Sequence, residues 1–115
     1  HTLGHAVEKL KSFSLLHGEC VCIGMAAALW ISSSRGNFSA AVRDKILKEI
    51  AAFFLPVSVG ELNCLELVAA ARKDKKMDAG QIRFILLKEI GKAYIDITVT
   101  EQEMEQACEF ILERE

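Results

Sequence analysis

Cys20-Val21-Cys22-Ile23-Gly24-Met25-Ala26-Ala27-Ala28-Leu29-Trp30-Ile31 is the longest apolar run in the chain. A bilayer crossing needs roughly 20 such residues, so the run reads as a helix buried inside a protein. Extended to His17 on one side and Ser33 on the other, it becomes the longest helix of the chain. Its middle, Gly24-Met25-Ala26-Ala27-Ala28, is small enough for a neighbouring helix to approach closely. Gly36 and Asn37 then end it with residues that tolerate left-handed backbone angles.

Upstream, Leu3, Val7 and Leu10 form an apolar stripe that predicts a helix over residues 1–11, joined to the long one by a loop from Ser12 to Leu16. Downstream, Ser39 is an N-cap for a third helix, residues 40–53, with Val42, Ile46, Ile50 and Phe53 at helical spacing. Pro56 breaks the chain. Asn63 followed by Glu66 starts a fourth helix that ends near Lys73. Residues 81–87 alternate in the period of a strand, Gly91 is a turn residue, and Tyr94 to Val99 alternates again, which predicts a hairpin. Thr100 with Glu103 makes a capping box for a last helix over 101–113. The expected fold is mainly α: one multi-helical domain spanning residues 1–115 with one small β-hairpin. Trp30, Phe53, Phe54, Phe84 and Phe110 read as core.

Composition narrows the function. A hydrophobic share of 51%, a charged share of 26% and a mean hydropathy of +0.23 fit one packed domain in a chain of 115 residues. The net charge of −2 gives no support for a nucleic-acid or membrane partner. Cys20, Cys22, Cys64 and Cys108 lie in helical or apolar settings with no signal peptide, and are read as reduced thiols in a cytoplasmic protein. No Gly-rich phosphate loop is present, so no dinucleotide site is expected in this piece. The chain begins at His1 rather than Met, so the expectation is a domain of something longer.

The chemistry gathers at the first residues. His1, His5 and His17 are the only histidines, and imidazole is the commonest ligand for divalent metals. Helical spacing pairs His1 with His5 on one face. Glu8 and Glu19 are candidate carboxylates for the same site. The residue after His1 is Thr2, not glutamate, which argues against a zinc protease. Cys20 lies one turn beyond His17, so a His/Cys site is conceivable, although both early cysteines read better as small core residues. Arg72-Lys73-Asp74-Lys75-Lys76 either complements a helix C-terminus or grips an anion.

Taken together, His1-Thr2-Leu3-Gly4-His5-Ala6-Val7-Glu8, Leu15-Leu16-His17-Gly18-Glu19 with Val21 and Ile23-Gly24-Met25, the basic run 72–76, Gln81-Ile82-Arg83-Phe84-Ile85-Leu86-Leu87 and Ile90-Gly91-Lys92 resemble the carboxy-terminal domain of 3-dehydroquinate synthase. The resemblance implies a helical domain of a cytoplasmic shikimate-pathway enzyme, a homodimer when full length. It implies zinc or cobalt as metal, and NAD held by an amino-terminal domain not in this sequence. The implied reaction takes a deoxy-heptulosonate phosphate to 3-dehydroquinate and phosphate through transient oxidation, phosphate elimination, ring opening and aldol closure. By position, His1 and His17 match the two metal histidines, which also face the substrate. His5 matches a proton-transfer histidine at the phosphate end, and Lys75 or Lys76 matches a phosphate-binding lysine. That assignment replaces the His1–His5 pairing suggested by spacing. The third metal ligand of the family precedes this sequence, so the chain alone is expected to turn nothing over and to bind metal weakly. A related sedoheptulose 7-phosphate cyclase or 2-deoxy-scyllo-inosose synthase, or a non-catalytic helical interaction module, are the alternatives.

Overall fold

The computed structural model describes residues 2–11, 15–60, 62–77, 83–89 and 91–112, with the backbone alone for 74–77. Five helices and one hairpin follow in order: α1 (Thr2–Leu10), α2 (His17–Ser34), α3 (Ala40–Ala52), α4 (Cys64–Met77), β1 (Phe84–Glu89), β2 (Lys92–Asp96) and α5 (Glu101–Ile111). The mainly helical fold with one antiparallel hairpin agrees with the sequence reading.

The long apolar helix lies at the centre. α2 buries Cys20, Cys22, Ile23, Gly24, Ala26, Ala27, Leu29, Ile31 and Ser32, residues spread around its circumference. α1, α3, α5 and β1 all pack on it, and α4 closes the core against α1 and α5. Leu3, Val7, Leu67, Val68, Phe84, Leu86, Met104 and Ile111 join it in one continuous core. The tightest approach is between α1 and α2. A Cβ on Gly4 would sit 2.5 Å from the Cys20 carbonyl oxygen, and one on Gly24 would sit 2.9 Å from the Gly4 nitrogen. The small residues read from the sequence therefore let the two backbones touch.

Helix ends follow their local chemistry. Ser39 Oγ accepts from Val42 N at 3.2 Å, and Asn63 Oδ1 accepts from Glu66 N at 3.0 Å. Thr100 and Glu103 cap each other reciprocally at α5. Gly36 takes a φ of 83° just after α2. Asn37 beside it donates its side-chain amide to Leu87 O at 2.9 Å, tying this corner to β1. Ser32, fully buried, accepts from Leu87 N at 3.0 Å and donates to Ala28 O at 2.9 Å.

Some boundaries shift. α4 runs on to Met77 rather than ending near Lys73, since nothing in Asp74-Lys75-Lys76-Met77 breaks a helix. The turn at Gly91, φ 84°, brings Glu89 opposite Lys92, so β2 starts two residues before Tyr94. It stops at Asp96, whose carboxylate folds back to accept from Thr98 N at 2.7 Å. That local turn competes with continued pairing. α5 ends at Ile111, and Leu112 turns extended to bridge Val59. Residues 1, 12–14, 81, 82 and 113–115, on which parts of the sequence reading fall, lie outside the described residues.

Two expectations are corrected. Phe53 and Phe54 are not core: they are 78% and 96% exposed. Phe54 turns the chain after α3 with a φ of 61°. α3 rests on α2 with none of its residues fully buried, so among the described residues its apolar stripe is covered only in part, at Ile46 and Ile50. Trp30 and Phe110 pack against the core edge with ring centroids 6.4 Å apart, and Phe84 is buried. The four cysteines are not all thiols either. Cys64, opening α4, is joined to Cys108 of α5 with Cα atoms 5.6 Å apart, a separation that suits a disulfide. Cys20 and Cys22 are free and buried, as the core reading expects.

Candidate functional site

The site is built where α1 crosses α2. Gly4 faces α2, so Glu8, one turn later on the same face, is carried against α2 as well. There its Oε2 lies 3.1 Å from Nδ1 of His17, the first residue of α2. The Glu8 side chain is 11% exposed and the His17 side chain 66%, so the pair runs from the helix crossing outward. His5, next to Gly4, is exposed on α1.

Glu19 has a local task. Its Oε1 accepts from Leu16 N at 2.8 Å, satisfying the backbone just before α2 and placing negative charge at a helix N-terminus. Glu19 thus serves the cap, and the carboxylate at His17 Nδ1 is that of Glu8. Cys20 lies beneath both acids. Burial first, and then the charges of Glu8 and Glu19, push its thiol above the ordinary cysteine range. Its place in the core, 1% exposed, favours the packing reading of Cys20 over a His/Cys site.

Of the sequence-predicted site residues, His5 and His17 stand on the two helices locked at Gly4 and Gly24. His1 lies outside the described residues. Lys75 and Lys76 lie in the last turns of α4, with the backbone alone described. α1 is the shared neighbour, packing against α2 on one side and α4 on the other. At the α1–α4 seam a cavity of about 340 Å³ is lined by Lys9, Leu10, Glu66, Ala69, Ala70 and Lys73. Arg72, the start of the basic run, pairs with Glu101 of α5 at 3.0 Å. Among the described residues no three His, Cys, Asp or Glu side chains converge on one point as a metal cage would require. His17 and Glu8 do fit one imidazole donor with its carboxylate support, a common pattern around bound zinc.

Sequence reasoning missed two things. The Glu8–His17 pair was legible in principle, because positions 4 and 8 share a face and Gly4 marks that face as the crossing. The second is Arg35, at the far end of α2. Its guanidinium reaches Asp96 at 2.8 Å and Glu103 at 2.8 Å, joining α2 to the hairpin and to α5. Hydrogen bonding to Glu103 holds Arg35 above its ordinary range. The same hydrogen bond holds Glu103 below the usual carboxylate range. Burial pushes Asp96 up, but hydrogen bonds from Thr98 and the charge of Arg35 outweigh it and leave Asp96 low as well.

Comparison with known proteins places the chain in a family. The family described as 3-dehydroquinate synthase C-terminal matches residues 1–77, which hold all three histidines and the basic run. The chain belongs to this family. It is 39% identical to the 3-dehydroquinate synthase of Dichelobacter nodosus over 106 residues, 90% of this chain and 29% of the relative. The 2-epi-valiolone synthase of Actinosynnema mirum is 37% identical over 93% of this chain and 29% of its own length. A solved 2-epi-5-epi-valiolone synthase from Streptomyces hygroscopicus subsp. jinggangensis, with NAD+ and Zn2+ bound, superposes with a TM-score of 0.82. It is 30% identical and is matched over 95% of this chain and 31% of its own. The chain thus spans less than a third of the relatives it matches. Among its described residues no helix is long and apolar enough to cross a membrane.

Proposed function

We propose that this chain is the metal- and substrate-binding domain of a 3-dehydroquinate synthase, which converts 3-deoxy-D-arabino-heptulosonate 7-phosphate to 3-dehydroquinate and phosphate in the shikimate pathway. The observation that carries the reading is the family match across all three histidines and the basic run, with His17 backed by Glu8 at the helix crossing. In this reading the domain works beside a nucleotide-binding domain that holds NAD, in a cytoplasmic homodimer.

His1 and His17 would hold the metal with a carboxylate from outside this sequence. Zinc or cobalt held there would supply a Lewis acid, able to acidify a hydroxyl and polarise a carbonyl of the substrate. His5, exposed on α1, relays a proton at the phosphate end, a task for which imidazole is suited near neutral pH. Lys75 or Lys76 neutralises the substrate phosphate from the end of α4. The rigid α1–α2 contact keeps His5 and His17 at a fixed separation, since neither helix can slide without driving backbone into backbone.

Two measurements test this. The full-length gene product, supplied with NAD and zinc, should release phosphate from the heptulosonate substrate, and His5→Ala should lower kcat by a factor of about 10² or more. The isolated chain should show no turnover and only weak zinc binding. Tight stoichiometric binding in a calorimetric titration would contradict the split of ligands between this chain and another segment.

A second reading has specific support. Valiolone synthases match this chain over nearly its whole length, so a cyclase acting on sedoheptulose 7-phosphate is the competing assignment. Assay of the full-length product with each sugar phosphate decides between them by kcat/KM.

A further inference from the structure

Glu8 is the one charged side chain buried among the described residues. Burying a carboxylate is costly unless it is hydrogen-bonded, and Glu8 is turned to the Nδ1 of His17 at 3.1 Å. A carboxylate oxygen accepts and does not donate. A neutral imidazole bonded to it therefore carries its proton on Nδ1, and its ring lone pair lies on Nε2. In water the balance between the two tautomers favours the other form, so the partner on one nitrogen decides what the opposite one can do. The carboxylate lies on the protein side of the ring and most of the ring is exposed. Nε2, across the ring from Nδ1, is thus directed away from the crossing.

We infer that Glu8 is the positioning residue of this site: by accepting from Nδ1 it fixes the tautomer and orientation of His17, so that Nε2 is the atom presented to a divalent cation. The inference rests on the reading of His17 as a metal ligand. It assigns Glu8 a part that is neither ligand nor proton donor. It also accounts for a buried acid in a helix whose other buried residues are Leu3, Gly4, Ala6 and Val7. A purely structural role would be served as well by an apolar side chain of similar volume.

The tautomer is measured directly by long-range ¹H–¹⁵N correlation on the histidine-labelled 115-residue chain without metal, above the imidazole titration, with His17 assigned by loss of its signals in His17→Gln. Wild type should show the Nδ1–H pattern. Glu8→Gln keeps an accepting oxygen and should retain it. Glu8→Ala should shift His17 toward Nε2–H. In the full-length gene product, competition for zinc against a chromogenic chelator should show affinity falling 10- to 100-fold in Glu8→Ala and by less than 10-fold in Glu8→Gln. A wild-type Nε2–H pattern overturns the inference, and so does a Glu8→Ala protein with unchanged tautomer or with zinc affinity within twofold of wild type. Should Glu8→Ala fail to fold, the wild-type and Glu8→Gln spectra with the Glu8→Gln affinity decide. Failure of the underlying reading looks different: His17→Gln would then leave zinc affinity unchanged, whatever the tautomer.

Discussion

Helices α1 and α3 both rest on α2, yet they are held in opposite ways. α1 meets α2 backbone to backbone at Gly4 and Gly24 and buries most of the residues facing it. α3 buries none, and ends in two phenylalanines turned to solvent. The difference separates a crossing where backbones touch from a helix face that is only partly covered among the described residues. His5 and His17 sit on the locked pair. The apolar stripe of α3 shows that periodicity reports a face wanting cover, without saying that the same chain supplies it.

Substitutions at the two regions should therefore differ in size and finally in sign. Gly4→Ala puts a methyl 2.5 Å from a backbone oxygen with no flexible side chain to yield. It should cost roughly 4 kcal/mol or more, enough to unfold a marginal domain, as read by urea unfolding. Cys64→Ser opens a crosslink between residues 44 apart in sequence and should cost about 3 kcal/mol. A midpoint unchanged between oxidised and reduced protein would show that the bond adds nothing.

Arg35→Leu should cost about 2 kcal/mol at neutral pH, because it strands two partly buried carboxylates. Asp96 and Glu103 are held below their ordinary range. The stability they contribute is complete above the unfolded carboxylate range, near about 4, and is lost as the pH falls through their lower folded values. Wild type and Arg35→Leu should accordingly converge in acid. A gap that stays constant down to strongly acid pH would show that the loss is one of packing alone. At α3 the sign should reverse. Phe54 is 96% exposed with a φ of 61°, so Phe54→Gly removes left-handed strain and little packing. It should raise stability by a few tenths to about 1 kcal/mol. A loss of that size would mean the ring has a partner in solution.

Much of this was readable from residue order. The buried α2, the caps at Ser39, Asn63 and Thr100, the hairpin about Gly91 and the small residues at the crossing each have a local cause visible in sequence. The boundaries of β1 and β2 were not, because register is set by turn geometry and by the Asp96 carboxylate. The Cys64–Cys108 bond was not, because it depends on α4 and α5 becoming neighbours. At the site, the three histidines stood out by residue type, and the family resemblance implied their roles. The Glu8–His17 pairing, though open to a reading of the face shared by positions 4 and 8, was not drawn. Glu8, read only as one of two candidate carboxylates, lies against the His17 ring on the next helix.

The Gly4–Gly24 contact also makes α2 a beam on a pivot. By helix rise, roughly 10 Å of it extends from the pivot to His17 and roughly 16 Å to Arg35. A tilt that swings the arginine end outward swings the imidazole end the opposite way by somewhat over half as much. The ion pairs to Asp96 and Glu103 brace the opposite end of that beam. Arg35→Leu, which touches nothing near the histidine, should still move the ¹⁵N shifts of its ring, and identical shifts in the two proteins would show that the beam bends instead.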